Sequence, residues 1–588
     1  MSSASPQPRF ALLFCLAWLL VAVELVVLYW AGTAETLLDT DDAMRLVEVR
    51  GFLAGHGWFD LTEMRLEPLL GYESHWSRLI DAGLAGLFLL FKPFAGVALA
   101  ERLMRTVWPL LWLWPAMFGA AAIAWRLAGR EAALVALVLA VIGLPALQQF
   151  KPGSIDHHNV QIALSVLTVA ATVWSDRLRW AARAAGGLTG LALGIGLECL
   201  PYLAACGAAI AIRYVLDRSS ADALRGYGLW LAGSAAAAFL VSVGPEHWTR
   251  SVCDTIAINL ALPIVLAGCV LSLAGRFKTD PRIWSRCGLV AVAGLLAATV
   301  FLMLEPRCLA GPFALMDPAV RPIWLARVHE MQPLAAFARD MPVKAAAIMA
   351  FPVAALVSAV LLARDAKLIR DFGFLVAGAA FLLALATTVA VIKAYNYPMW
   401  LGMPLVAAVA LRLCLLLKLQ TLTARLTAAV LLTPTVLSAG AVGIAQAAGQ
   451  HAAAEGRPAE QSACFRTENY APLARLPAGL VAADVDLGPF LLALTPHSVL
   501  SAPYHRLSAG VIAAHQALAA PPDAARAVLA RVNAAYVVTC GPRAPIGLGE
   551  ADRAASLWGR LQAGAPPDWL TQMPETKGQV FAAYRVKP

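Results

Sequence analysis

The chain has 588 residues, 60% of them hydrophobic and only 14% charged, where a soluble globular chain carries about 25% charged residues; a soluble protein is excluded. The net charge of +9 comes without any Arg/Lys run interleaved with aromatics, so no nucleic acid is expected as a partner, and the excess is read as the basic cytoplasmic loops of a membrane protein. Ten cysteines with no CxxC pair exclude a zinc knuckle or a thioredoxin-like site.

The first apolar run, "FALLFCLAWLLVAVELVVLYW" (Phe10 to Trp30), is long enough to cross a bilayer. It is too long, and lacks the small-residue cleavage site, for a removable signal peptide, so it reads as an uncleaved first span. A polar stretch runs to about 78. Apolar segments follow near 79–99, 104–127, 131–149, 159–175, 184–199, 200–216, 226–244, 255–274, 287–304, 343–363, 372–392, 395–415 and 426–447. If all cross, "WRLAGREAA" (Trp125 to Ala133) and "SDRLRWAAR" (Ser175 to Arg183) face outward, against the rule that basic loops stay inside. Laying 79–99, which is broken by Lys92-Pro93, along the outer face restores the rule. The expectation is an all-α polytopic membrane protein of about thirteen transmembrane helices in residues 1–447. Its N-terminus is cytoplasmic, its long outer loops are 32–103 and 305–342, and residues 448–588 form a small extracytoplasmic α/β domain. The setting is the cell inner membrane.

With that layout the polar motifs collect on the outer side. "DTDDAMRLVE" supplies Asp39, Asp41 and Asp42, "GSIDHH" supplies Asp156, His157 and His158, and "RVHEMQP" supplies Glu330. Carboxylates with one or two imidazoles suit Mg²⁺ or Mn²⁺, and such an ion neutralises a phosphate leaving group. The plain alternative is that interface loops carry polar residues anyway. Glu198 in "GLECLPY" stands at the outer end of a span, either as a functional acid or in the headgroup layer. His247 and Trp248 read as interface anchors.

These motifs resemble the catalytic subunit of oligosaccharyltransferases, membrane glycosyltransferases of the GT-C fold, over roughly residues 30–415. "DTDDAMRLVE" is similar to the archaeal first-loop motif D-x-Y-Y-H-x-R-L-x-E, matching at Asp39, Arg45 and Glu48 with the Tyr-Tyr-His replaced. "SHWSRLID" (Ser74 to Asp81), "GSIDHHNVQ" and "RVHEMQP" resemble three further family segments. The resemblance implies metal ligands Asp39, Asp156, His158 and Glu330, and catalytic aspartates among Asp39, Asp41 and Asp42. It implies donor-phosphate contacts from His157 and Lys393, with Lys393 standing where the family has an arginine, so that charge is kept but not the bidentate fork. Arg45, Glu48, His75, Trp76 and Glu198 are candidates for acceptor or substrate contact. The W-W-D-Y-G motif that reads the Asn-glycosylation sequon is absent from the sequence, which leaves the acceptor open. The implied activity is transfer of a sugar or oligosaccharide from a polyprenyl-phosphate or -diphosphate donor, assisted by a divalent metal, to an acceptor on the outer face of the lipid bilayer.

The tail alternates strand-like stretches such as "AAYVVTC" with helical ones such as "DAARAVLARVN", the pattern of a small α/β domain. Its two cysteines, Cys464 and Cys540, are candidates for a disulfide in an oxidising compartment. "APYHR" (Ala502 to Arg506) is either an acceptor or phosphate contact or a strand-end turn. Two other classes compete. A lipid-linked sugar transporter or flippase calls for ionisable residues deep in spans and an internal repeat, and neither is visible. A non-catalytic scaffold that keeps the fold is favoured if the metal-site residues are dispensable.

Overall fold

The computed structural model describes residues 8–67, 71–276, 282–419, 421–450 and 462–587. Helices α1 (Pro8–Tyr29), α2 (Thr40–Leu53), α3 (Arg78–Ala128), α4 (Arg130–Val141) and α5 (His158–Trp174) make the first half of the bundle. They are followed by α6 (Ala181–Ile195), α7 (Leu200–Leu216), α8 (Ala221–Ser242), α9 (Ile258–Ala274) and α10 (Ile283–Leu304). The bundle closes with α11 (Pro342–Ala363), α12 (Phe372–Ala390), α13 (Asn396–Leu416), α14 (Leu422–Leu431) and α15 (Pro434–Ala447).

Seven described helices are long and apolar enough to cross a bilayer, or eight if α14 and α15, bent by 52°, form one span. The expected segment 131–149 is helical only to Val141, because the Gly143-Leu144-Pro145 sequence cannot continue a helix. The expected separation of 79–99 from 104–127 takes the form of a break inside α3. Gly96 lies there at φ 69°, a left-handed backbone that favours glycine. Helices without a hydrophobic drive to associate pack through small residues. At Gly228, an added Cβ would meet the Gly268 carbonyl oxygen at 2.5 Å, so α8 and α9 touch backbone to backbone.

The polar stretch after α1 is ordered by the tail. A short ribbon of β1 (Thr62–Glu63) and β2 (Tyr72–Glu73) projects from it. The tail folds as a five-stranded sheet of β3 (Leu480–Ala482), β4 (Ser498–Val499), β5 (Tyr536–Cys540), β6 (Leu570–Gln572) and β7 (Phe581–Val586), in the order β4-β3-β5-β7-β6. Pairing is parallel for β4-β3-β5 and antiparallel for β5-β7-β6. Beyond β4 the ladder continues into the first loop. The Val499 N–H donates to the Arg65 carbonyl at 2.8 Å, and the Glu67 N–H donates to the Val499 carbonyl at 3.0 Å. The exposed edge of β4 is thereby covered, as an edge strand requires.

Two disulfides lie in these extramembrane parts. Cys464–Cys540 ties the start of the tail to β5, and Cys253–Cys308, which the sequence did not suggest, ties the loop after α8 to the loop after α10. The other six cysteines are unpaired. Alkylation in denaturant therefore labels at most six cysteines before reduction and ten after it; an equal label count before and after would show that neither bond forms. Replacing either pair by serine should lower stability by about 2–4 kcal/mol, read as the thermal midpoint of the detergent-solubilised chain.

Candidate functional site

The site is built where the N-termini of α2 and α5 meet. Asp39 is the N-cap of α2 and accepts the Asp42 backbone N–H at 2.9 Å, a capping arrangement that also sets acids against the positive helix end. Asp42 in turn accepts, on Oδ1, the backbone N–H groups of Ile155 at 2.6 Å and Asp156 at 3.2 Å. Asp156 then accepts the His158 N–H at 2.8 Å as α5 begins. Two loops 113 residues apart are thus stitched through one carboxylate.

The result is two overlapping donor sets built on Asp156, with a third, His157, His158 and Glu198, sharing His158. One oxygen or ring nitrogen from each of Asp41, Asp156 and His158 falls within a mutual 4.8 Å, and the same holds for Asp39, Asp42 and Asp156. Asp42 and Asp156 are 1% exposed, while Asp39 opens to solvent. Around the rim, Glu198 lies 3.6 Å from His158 Nδ1 and 3.9 Å from His157 Nε2. Lys393 Nζ lies 3.6 Å from Glu198 and 3.3 Å from Glu330. Glu330, expected as a metal ligand, is exposed on a 3₁₀ turn, pairs with Lys393, and belongs to none of these donor sets among the described residues. The lysine draws it to the rim.

Beneath the cluster lies a buried ion network. Arg45, with no exposure, binds Asp81 at 2.7 Å and Glu48 at 3.0 Å, and its guanidinium lies 4.5 Å from the Trp76 ring centroid. Arg78 completes it at 3.0 Å from Asp81. Arg45, Glu48 and Trp76, expected to touch an acceptor, are therefore covered and support the site from behind. Tyr504 of the tail stacks on Tyr72 at 5.3 Å, meets Trp76 edge-on, and donates to the Thr40 carbonyl at 3.0 Å.

The "APYHR" segment forms a turn between β4 and the helix that starts at Ser508, and it also makes a contact that neither reading foresaw. Arg506 donates to both oxygens of Asp254, at 2.7 and 2.8 Å, and His505 Nε2 sits 2.6 Å from Asp254 Oδ2. His75, His505 and Asp254 also fall within 4.8 Å of one another, but a guanidinium gripping both carboxylate oxygens leaves this trio as a clasp between tail and bundle. Asp254 was missed because it follows Cys253 in an unremarkable loop. The available signal was that Cys253 and Cys308 both fall outside the spans on the outer side.

The electrostatics favour a cation. Burial pushes the Asp41 carboxyl up to about 7, with Lys393 opposing and Asp39 adding to the shift. Burial, Asp39 and Asp156 hold Asp42 well above the usual carboxylate range. Burial also opposes the charge on Asp156, but His158, His157 and the His158 N–H outweigh it and hold that group below its ordinary value. Burial and His158 push His157 down to about 4, leaving a neutral ring. Asp42 Oδ2 is buried without a partner, and buried polar atoms rarely lack one. A divalent ion fits this set: it supplies the missing partner and relieves the carboxylate repulsion.

No family model matches the chain, and no curated protein matches it. Solved structures do match. The archaeal oligosaccharyltransferase AglB from Archaeoglobus fulgidus, in complex with an inhibitory peptide and a dolichol-phosphate, superposes with a TM-score of 0.63 at 14% identity, over 92% of this chain and 70% of that one. The oligosaccharyltransferase of the same organism tethered with an acceptor peptide gives 0.65 at 13% identity over 92% and 70%. Its complex with Zn and sulfate gives 0.57 at 16% over 90% and 68%. The chain shares their fold.

Two outcomes follow from the geometry. Arg45→Met leaves Glu48 and Asp81 buried with only Arg78 between them and should cost about 3–5 kcal/mol, measured as thermal unfolding; an unchanged midpoint would remove the network from the site's support. Protons and cations compete for the Asp41 carboxyl, pushed up to about 7, so Mn²⁺ affinity should fall about fivefold from pH 7 to pH 6, read by isothermal titration. Affinity independent of pH would mean that Asp41 is not a ligand.

Proposed function

We propose that the chain is a membrane glycosyltransferase that moves a sugar or oligosaccharide from a polyprenyl-phosphate or -diphosphate carrier to an acceptor on the outer face of the cell inner membrane. The observation that carries this reading is the convergence of Asp41, Asp156 and His158, with Lys393 and Glu198 on the rim. Carboxylates and imidazole would hold a divalent cation, and a lysine beside them suits an anionic leaving group. The fold shared with an enzyme solved both with dolichol-phosphate and with Zn and sulfate supports the same assignment.

Each residue then has a task. Lys393 is held between two acids, and a donor phosphate can take their place on its ammonium. His157, neutral and with Nδ1 unpartnered, has a donor or acceptor free for a phosphate oxygen. Asp41, Asp156 and His158 would hold a divalent ion, which would supply Lewis-acid stabilisation of the departing phosphate. The acceptor's hydroxyl or amide nitrogen attacks the anomeric carbon as the carbon–oxygen bond to phosphate breaks. Solvent-reachable Asp39 orients the nucleophile and takes its proton. Arg45, Glu48 and Asp81 keep α2 in register, and Glu330 gates the lysine.

One helix supports the proposed orientation. Asp156 and His158 stand at the start of α5, while its far end, about 25 Å away, meets Arg126, which binds Asp176 at 2.7 Å and Asp371 at 2.9 Å. Disulfides lie only at the site end, among the described residues, and disulfides persist outside the cytoplasm. The site end therefore faces out, the tail from about 448 is extracytoplasmic, and the Arg126 end is cytoplasmic. Counting α5, α6, α7 and α9, the bent α14–α15 pair and α4 with the apolar residues that follow it as crossings beside the seven longer helices, the proposed transmembrane part, 1–447, has thirteen spans.

With a labelled polyprenyl-diphosphate sugar in proteoliposomes, Asp156→Asn and His158→Ala should each lower transfer at least about 10²-fold with unchanged thermal midpoints. Wild-type rates in both variants would sink the reading.

A further inference from the structure

We propose that the outer face holds two divalent cations sharing Asp156, the second bound by Asp39, Asp42 and Asp156 beside the first on Asp41, Asp156 and His158. The inference deepens the reading of this cluster as the metal centre of the transferase.

Helix geometry is the first ground. Successive residues on an α-helix point about 100° apart, whereas positions three apart share a face. Asp39 and Asp42, at the cap and in the first turn of α2, therefore converge on one side, and Asp41 projects to another. Asp156 is within 4.8 Å of both sets, but no described group of this kind contains Asp41 together with Asp42. Asp41 and Asp42 cannot close on one ion in this arrangement; each faces Asp156 from a different side.

The second ground is an unpartnered atom. Asp42 is 1% exposed, its Oδ1 is satisfied by two backbone N–H groups, and its Oδ2 has no partner. Leaving a buried carboxylate oxygen bare costs the desolvation of that group. Among the described residues no cationic side chain hydrogen-bonds Oδ2: Arg45 is committed to Glu48 and Asp81, Lys393 to Glu198 and Glu330, and Arg105, which attracts Asp42 only through space, donates to the Thr33 carbonyl. His158 Nε2 lies 3.9 Å from Asp156 Oδ2 and Nδ1 lies 3.6 Å from Glu198, so it belongs with Asp41 and Asp156 or with His157 and Glu198, and in neither case with Asp39 and Asp42. A single ion on either of those sets leaves the Asp39–Asp42 side uncompensated.

Donor chemistry sets the preferences. The second set is all oxygen and suits a hard cation, Mg²⁺, Mn²⁺ or Ca²⁺. The first includes an imidazole and tolerates Mn²⁺ or Zn²⁺. Two ions bridged by one carboxylate lie about 3.5–4 Å apart, close enough for paired Mn²⁺ ions to couple magnetically.

The test uses the full chain in detergent, stripped with chelator and equilibrated with Mn²⁺ alone, read by metal analysis and by low-temperature electron paramagnetic resonance. Wild type should hold two Mn²⁺ per chain with a spin-coupled spectrum. Asp42→Asn keeps the shape and the Oδ1 acceptor and should hold one, with the uncoupled six-line spectrum; His158→Ala should also drop to one. Mg²⁺ added to wild type should displace one ion and abolish the coupling. One uncoupled Mn²⁺ in wild type would overturn the second site and leave metal-assisted transfer standing, whereas no bound Mn²⁺ would remove both.

Discussion

The arrangement rests on the fully buried guanidinium of Arg45. It joins Glu48 on its own helix to Asp81 at the start of α3 and lies against Trp76. A charge with no exposure is tolerated only when paired and hydrogen-bonded. This network fixes α2 against α3 and so fixes the direction in which the first turn of α2 points. Shifting α2 by one residue would carry Asp42 about 100° around the helix, away from the Ile155 and Asp156 amides. The acidic cluster is thus a consequence of where one arginine can be buried.

From that anchor the two ends of the bundle acquire opposite characters. At one end, carboxylates outnumber the cations that face them, and the surplus is gathered around Asp156. At the other, Arg126 gathers Asp176 and Asp371 from two different loops, and Trp174 donates to the Ala122 carbonyl at 2.9 Å. One end is a closed staple in which each carboxylate has a guanidinium partner and which holds α3, α5 and α12 together. The other is left short of positive charge, a state that makes structural sense only if a ligand completes it.

Much of this was legible in the sequence, for physical reasons that also mark its limits. Long apolar runs report bilayer thickness directly, so α8 to α13 fall within a few residues of the expected segments, while the break in α3 falls at Gly96, inside the expected segment 79–99. Where a helix ends inside an apolar run the signal fails: Val141 closes α4 well before hydropathy declines, and α14 and α15 bend where Thr433-Pro434 interrupts them. The motifs named the right loops but not the partners within them. That Asp42 would hold the Ile155 amide, that Trp76 would be covered, and that Lys393 would hold Glu330 at the rim all depend on contacts between segments tens or hundreds of residues apart. Neither period nor spacing encodes these. The Cys253–Cys308 bond belongs to the same class, since two cysteines in separate loops carry no pairing information until the loops meet.

The tail shows how such distant contacts act together. Its sheet extends through β4 into residues 65–67 of the first loop, and the helix Gly488–Leu494 receives Arg50 of α2 at the Ala493 carbonyl, 2.6 Å away. Tyr504 then reaches Thr40, one residue from Asp39 and Asp41. The clasp of Arg506 on Asp254 holds this assembly down, and Asp254 is itself held by the neighbouring disulfide. Apart from the clasp, which ends on the loop after α8, these links end on α2 or on the loop that follows it. The polar stretch after α1 has too little apolar surface to order itself, so the tail supplies the second wall against which α2 is fixed. A site formed at the junction of bundle and tail follows from that need: the Arg45 network and the Asp42 bonds set the first turn of α2 against Asp156, and the tail covers it from the other side.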